Sequence, residues 1–92
     1  MRGPAARIGD LTDHPGVIAG PGAVQVHIGG APAARSGDPH TCAQSPSPHP
    51  PNTVAGGSTT VLIGGLPAAR IQDLTACGAH IVTGLPSVVI GD

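Results

Sequence analysis

The tetrapeptide Pro-Ala-Ala-Arg occurs three times in this chain of 92 residues, and this repetition constrains the fold more than any other feature. The copies begin at Pro4, Pro32 and Pro67. Each unit also ends in a β-branched block that closes with Ile-Gly, at residues 26–30, 61–65 and 88–92. The repetition predicts a single domain, residues 1–92, built from three similar units at about 4–30, 32–65 and 67–92.

The residues around each Ile-Gly block predict short β-strands joined by tight turns. Val24, Val26 and Ile28 alternate with other residues, and such a period of two is typical of a half-buried strand. Gly29-Gly30 then precedes the next arm, as Gly64-Gly65 does in the second unit. Two glycines between short strands favour a hairpin turn with positive φ. The prolines that follow lack an N–H and suit a strand start or a sheet edge.

The two ends of the chain predict that the three units close into a ring. The sequence starts on an arm and stops on an Ile-Gly block, so the ends fall where a third hairpin turn is expected. No 11-residue window combines helical periodicity with freedom from Gly and Pro. We therefore expect an all-β fold with pseudo-threefold symmetry and no appended domain.

Composition excludes several classes of partner. The net charge is −1 and there are no aromatic residues, which leaves neither a basic patch nor a stacking surface for nucleic acid. The apolar runs are too short to span a membrane, and the N-terminus does not resemble a secretory signal. We expect synthesis in the cytoplasm, where two cysteines favour thiols or metal ligands over a disulfide between Cys42 and Cys77.

The His and Cys residues can be aligned by repeat in two ways. Counting seven residues after each arginine gives His14, Cys42 and Cys77. Counting back from each Ile-Gly block instead gives His14, His49 and Cys77, with the third unit one residue shorter. The two counts differ only in where a seven-residue insertion in the second loop is placed, and loops accept such insertions at low cost.

Three equivalent loops on a threefold ring should converge, and this predicts a metal site. His80 follows Cys77 after two residues, a spacing common in zinc ligand pairs. We predict one structural zinc, held by His14, His49, Cys77 and His80, with Cys42 and His40 as the reserve candidates. The metal would replace the core that a small chain without aromatic residues lacks. His27 lies on a predicted strand and is expected to be a surface residue.

The repeated arginine and aspartate pairs are interpreted as scaffold. They stand at Arg7/Asp10, Arg35/Asp38 and Arg70/Asp73, and an active site seldom needs three copies. The aspartates can accept backbone N–H groups at the start of each loop. The chain contains no Glu, so a zinc hydrolase would lack its usual general base.

With three Pro-Ala-Ala-Arg motifs, Val-x-Ile-Gly-Gly blocks and Cys77-Gly78-Ala79-His80, the chain resembles the PAAR-repeat proteins over essentially its whole length. The resemblance implies a small conical β fold with a zinc near its apex, held by three His and one Cys. This ligand count agrees with the alignment from the Ile-Gly blocks, and it is the reason for preferring His49 over Cys42. The resemblance also implies a non-enzymatic role as the tip protein of a type VI secretion spike. In that role the flat base caps the trimeric β-helical spike protein VgrG, sharpens it for piercing a target envelope, and can link effector proteins to it.

The resemblance carries an expected localisation. A protein of this kind is made in the bacterial cytoplasm and is delivered outside, or into target cells, on the spike, crossing a target membrane only as part of it. The alternatives are a small zinc hydrolase and a free-standing zinc-binding module. A hydrolase would need an open coordination position, and a free-standing module would exchange its metal reversibly.

Overall fold

The fold is seen in a computed structural model that describes residues 3–13, 16–42 and 52–91, with Cys42 described in its backbone alone. These residues contain ten short strands: β1 Gly3–Ala5, β2 Leu11–Thr12, β3 Gly16–Ile18, β4 Ala23–Ile28, β5 Ala31–Ala33, β6 Pro39–Cys42, β7 Asn52–Thr53, β8 Leu62–Ile63, β9 Leu66–Pro67 and β10 Leu85–Ile90. The predicted all-β fold is confirmed: over the described residues there is no helix, and hence none that could cross a membrane.

Three two-stranded antiparallel sheets carry the arms of the repeat. β4 pairs with β5 through Gly29-Gly30, and β8 pairs with β9 through Gly64-Gly65. All four glycines have positive φ, as the predicted turns require. The third sheet joins β1 to β10, with Gly3 opposite Ile90 and Pro4 opposite Val89. The first and last strands of the domain therefore complete the third hairpin, as the repeat predicted.

The arms meet in a closed ring of backbone hydrogen bonds, here called the alanine ring (Ala6, Ala34 and Ala69). Ala34 N donates to Ala6 O at 3.1 Å, Ala69 N to Ala34 O at 3.0 Å, and Ala6 N to Ala69 O at 3.0 Å. The side chains of all three residues are buried. A cycle of three equivalent bonds is possible only around a threefold axis, so the ring defines the pseudosymmetry of the molecule.

The core consists of two adjacent apolar clusters, one on each side of the arms. The cluster towards the hairpin turns contains Ala5, Ala23, Ile28, Ala33, Ala68 and Ile90. The cluster towards the loops contains Ala6, Ile18, Ala34, Val54, Ala69 and Ile81. Below, the two ends of the molecule are called the turn end and the loop end.

Each arm leads into a compact turn that starts its loop. Asp10 N donates to Arg7 O at 3.0 Å, and Gly9 between them has φ of 94°, which is the arrangement of a type II turn. The Asp10 carboxylate accepts a bond from Arg7 N at 2.6 Å. The other two units repeat these bonds. The predicted scaffold role of these aspartates as acceptors of backbone N–H groups is confirmed.

The predicted half-burial of the alternating valines is wrong. In β4 only Ala23 and Ile28 are buried, while Val24 and Val26 are exposed. The register shifts between Ala23 and His27, so the intervening residues bulge away from β5. β10 has the same form, with its four middle residues exposed. The alternation therefore marks an apolar surface of the turn end and not one buried face.

Candidate metal centre

Equivalent backbone bonds set the inward-facing positions of the loop end. Ile18 N donates to Asp10 O, Val54 N to Asp38 O and Ile81 N to Asp73 O, at 2.9 to 3.0 Å. The second residue after each aspartate is buried in every unit, and these residues are Thr12, His40 and Thr75. Asn52 and Cys77 contact the same group of side chains. We call these five residues the polar cluster.

His40 is the centre of the polar cluster and is completely buried, with 0% of its surface exposed. Its Nε2 lies 2.8 Å from Thr12 Oγ1, and its Nδ1 lies 3.1 Å from Asn52 Oδ1. Gly16 lies against the ring, because a Cβ at this position would come within 2.7 Å of His40 Nε2. A buried imidazole needs polar partners, which are supplied by Thr12 of the first loop and Asn52 of the second.

Cys77 lies beside this histidine. Its Sγ is 3.9 Å from His40 Nδ1 and 3.2 Å from Thr75 Oγ1. A thiolate and an imidazole nitrogen on one tetrahedral zinc, with bonds of about 2.3 and 2.0 Å, would be about 3.5 Å apart. The pair is therefore spaced and composed in a way that fits two zinc ligands. Among the side chains that the structure describes, Cys77 is in no disulfide.

His80 lies elsewhere, on the flank of the loop end. Its side chain is 47% exposed, and its Nδ1 is 3.4 Å from Asp13 Oδ2. Its backbone N also donates to Asp13 Oδ1 at 2.9 Å. The equivalent residues are Val17 and Thr53, each directly before the residue that bonds to the aspartate carbonyl. Thr53 is exposed as well, so this position faces outward in two of the three units.

The other predicted site residues divide into two groups. His14 and His49 lie outside the described residues, as does the side chain of Cys42. His27 is exposed on β4, opposite Pro32, as expected for a surface residue. In the part of the chain that the structure describes, no three His, Cys, Asp or Glu side chains lie close enough to bind one metal.

A third count along the sequence, which neither alignment uses, indicates that His40 faces inward. His40 stands five residues after Arg35, as Thr12 stands after Arg7 and Thr75 after Arg70. This count ends before the insertion in the second loop, so the insertion does not affect it. All three residues point inward, and the position five after the arginine is thus the one at which a loop side chain enters the centre of the molecule.

A family model described as the PAAR motif matches residues 8–83. No curated protein matches the chain. The matched residues run from the first turn to the end of the third loop and include two complete arms, the Arg–Asp turns that follow them and the polar cluster. Proteins with this motif are associated with the spike tip of type VI secretion systems, where they are structural components. Because the match extends over most of the chain, the protein belongs to the PAAR-motif family.

Proposed function

We propose that this protein caps a trimeric, β-helical spike protein of the VgrG type, without enzymatic activity. The observation that carries the proposal is an exposed apolar surface at the turn end, here called the turn face. It comprises Val24, Val26, Leu62, Val88 and Val89. Leu62 and Val89 are 59% and 55% exposed, although the next residue of each strand, partly buried Ile63 and buried Ile90, packs in the core. Large apolar side chains exposed at one end of a molecule favour a role as a protein interface.

The symmetry of the turn face supports a trimeric partner. Its residues come from all three hairpins, which are arranged around the axis that the alanine ring defines. A surface of this kind presents similar contacts three times and so suits the end of a threefold β-structure. The bulged segments of β4 and β10 also leave backbone outside the hairpin pairing, which a partner strand can use.

The proposal includes one structural zinc at the loop end. Cys77 supplies the thiolate, and His14, His49 and His40 supply the nitrogens. Burial and the 3.9 Å separation from Cys77 favour His40 for the fourth position, whereas the sequence assigned that position to His80. Bound there, the zinc would cross-link the three loops where the chain has no aromatic core.

The proposed role also sets the route of the protein. It is made in the bacterial cytoplasm, leaves on the assembled spike, and passes a target membrane only as part of that spike. Effector proteins attached to the tip would travel the same way.

The partner is tested by size-exclusion chromatography of the chain with a trimeric spike protein from the same secretion system. We expect one complex with one chain per trimer. Leu62→Asp should abolish it, because a charge would be buried in the interface. Val82→Asp is the matched control, since Val82 is exposed at the loop end, where its N bonds to Leu11 O. A full complex with Leu62→Asp, or none with the unaltered chain at micromolar concentration, would contradict the proposal.

The zinc is tested by elemental analysis of purified protein, and we expect one zinc per chain. His14→Ala, His40→Ala, His49→Ala and Cys77→Ala should lose it, while His80→Ala and Cys42→Ala should keep it. Loss with His80→Ala and retention with His40→Ala would restore the ligand set that the sequence predicts. Loss with Cys42→Ala and retention with His49→Ala would show that the seven-residue count is the correct alignment.

A further inference from the structure

We propose that Thr12 and Thr75 are positioning residues, which aim His40 and Cys77 at one shared metal ion. The inference depends on the proposed zinc site and adds to it the groups that orient two of its ligands. Neither threonine contains a good zinc ligand, and both are buried. Each contacts one of the two donor side chains, at 2.8 Å for Thr12 and 3.2 Å for Thr75.

The contact of Thr12 selects the nitrogen of His40 that faces Cys77. Thr12 Oγ1 lies 2.8 Å from Nε2, and Cys77 Sγ lies on the other side, 3.9 Å from Nδ1. A hydroxyl can accept a hydrogen bond from Nε2–H, which leaves the lone pair of Nδ1 for a metal. Within the described residues, His40 is the hydrogen-bond partner of this hydroxyl. Position 16 must stay small beside this ring, because a Cβ on Gly16 would lie 2.7 Å from Nε2.

The contact of Thr75 has a direction that follows from its second bond. Ala79 N donates to Thr75 Oγ1 at 3.1 Å, so the oxygen already acts as an acceptor. The hydroxyl proton is then available for Cys77 Sγ at 3.2 Å. A hydrogen bond to sulfur stabilises a thiolate and fixes its position in the loop. Thr75 therefore holds the turn from residue 75 to 79 and aims the sulfur at the same time.

The pseudosymmetry places the proposed ligand and the two orienting threonines at the same position of the repeat. Thr12, His40 and Thr75 occupy one position in three units, with the same backbone bonds around it. One unit places a donor ligand there, and the other two place a hydroxyl. Thr12 orients His40 of the neighbouring loop, and Thr75 orients Cys77 of its own loop. Asn52 Oδ1 lies 3.1 Å from Nδ1 and can only accept a bond from Nδ1–H, so the Asn52 side chain must move away from Nδ1 when a metal binds there.

The experiment compares Thr12→Val, Thr12→Ser and Thr53→Val in the full chain. Thr53 is an exposed threonine, so its variant is the control for the loss of a hydroxyl. The readouts are zinc affinity by competition with a chelator and the visible absorption spectrum of the Co²⁺ form, which reports ligand geometry. We expect Thr12→Val to lose about 10- to 100-fold in affinity and to change the Co²⁺ spectrum. Thr12→Ser should restore both, and Thr53→Val should leave both unchanged.

Unaltered affinity and spectrum in Thr12→Val would overturn this inference and leave the zinc site itself intact. No Co²⁺ or Zn²⁺ binding by the unaltered chain would overturn the proposed zinc site and, with it, the positioning role. A measurement on the unaltered chain covers the case in which Thr12→Val does not fold. Imidazole ¹⁵N resonances of the zinc form should show Nδ1 of His40 bound to metal and Nε2 protonated, and the reverse assignment would overturn the inference.

The corresponding test for Thr75 uses the sulfur-to-Co²⁺ charge-transfer band. Thr75→Val should shift this band and weaken zinc binding, while Thr75→Ser should retain the band of the unaltered chain. A band that is identical in all three proteins would show that Thr75 only holds the turn.

Discussion

The alanine ring and the polar cluster have the same backbone symmetry, but the side chains are identical in the ring and different in the cluster. In the ring, three identical residues make three equivalent bonds of 3.0 to 3.1 Å. In the cluster, three backbone positions that are just as equivalent hold Thr12, His40 and Thr75. The repeated motif therefore maintains a symmetric backbone frame, and the loops add side chains of different chemistry to it.

The physical basis of the contrast is the space around the axis. In the ring the chains approach each other through their backbones, and a methyl group fills what remains between them. At the loop end the facing side chains are polar, and each must satisfy the hydrogen-bonding groups of another. Identical small residues can fill the space in the ring, whereas hydrogen bonding at the loop end needs residues that complement one another.

The largest effect is expected from an enlarged residue in the alanine ring. Ala34→Leu adds three carbon atoms to a buried position that has no room for them, and we expect a loss of about 3 kcal/mol or more in the free energy of unfolding. Urea unfolding of the purified protein measures it. Ala55→Leu is the control, because Ala55 is exposed. Ala6→Leu and Ala69→Leu should cost as much as Ala34→Leu, and three very different costs would disprove the equivalence of the ring positions.

A smaller effect, specific to the polar cluster, is expected at Gly16. Ala79 occupies the equivalent position and carries a methyl group, but a Cβ on Gly16 would lie 2.6 Å from Thr12 Oγ1 and 2.7 Å from His40 Nε2. We expect Gly16→Ala to cost about 2 kcal/mol in stability and to weaken zinc binding. Thermal unfolding and chelator competition are the measurements.

Gly91→Ala is the matched control for Gly16→Ala, because a Cβ on Gly91 meets no atom within 4 Å. An unchanged stability in Gly16→Ala would show that the polar cluster has spare volume. The polar cluster would then depend less on close packing than the alanine ring does.

The smallest effect concerns the one turn that departs from the repeat. Gln72 has φ of 81° where Gly9 and Gly37 have 94°, so a residue with a Cβ occupies a left-handed conformation. Gln72→Gly should stabilise the protein by about 0.5 to 1 kcal/mol, since relief of this strain exceeds the added entropy of the unfolded chain. Differential scanning calorimetry would show a higher melting temperature. Gly37→Gln should have the opposite sign, and stabilisation by both changes would refute the strain.

Much of the backbone frame could be predicted because it depends on local conformational preferences that occur in each of the three repeats. Gly29-Gly30 requires a turn with positive φ wherever it stands, and Asp10 can reach the N–H of Arg7 within one turn. The closing of the ring by β1 and β10 followed from where the repeats start and stop along the chain. The exposure of Val24 and Val26 could not be predicted in this way, because the bulge after Ala23 overrides the period of two.

The chemistry of the candidate site stays a prediction, and the structure bears only on where its residues lie. Residue types and loop spacing indicated a site of His and Cys, and Cys77, one of the predicted ligands, lies beside His40. They did not distinguish His40 from His80, because spacing along the chain does not report which way a side chain faces. Only the fold separates the two, because His40 is buried and His80 lies beside Asp13.

The all-β fold, the three units, the tight turns and the closure of the ring could all be predicted from the sequence. Each depends on backbone conformations that Gly, Pro and Asp impose locally. The tertiary structure alone decided which loop residues face the axis. That choice depends on the backbone bonds between units, which bring residues far apart in the chain, such as Thr12, His40 and Cys77, into contact.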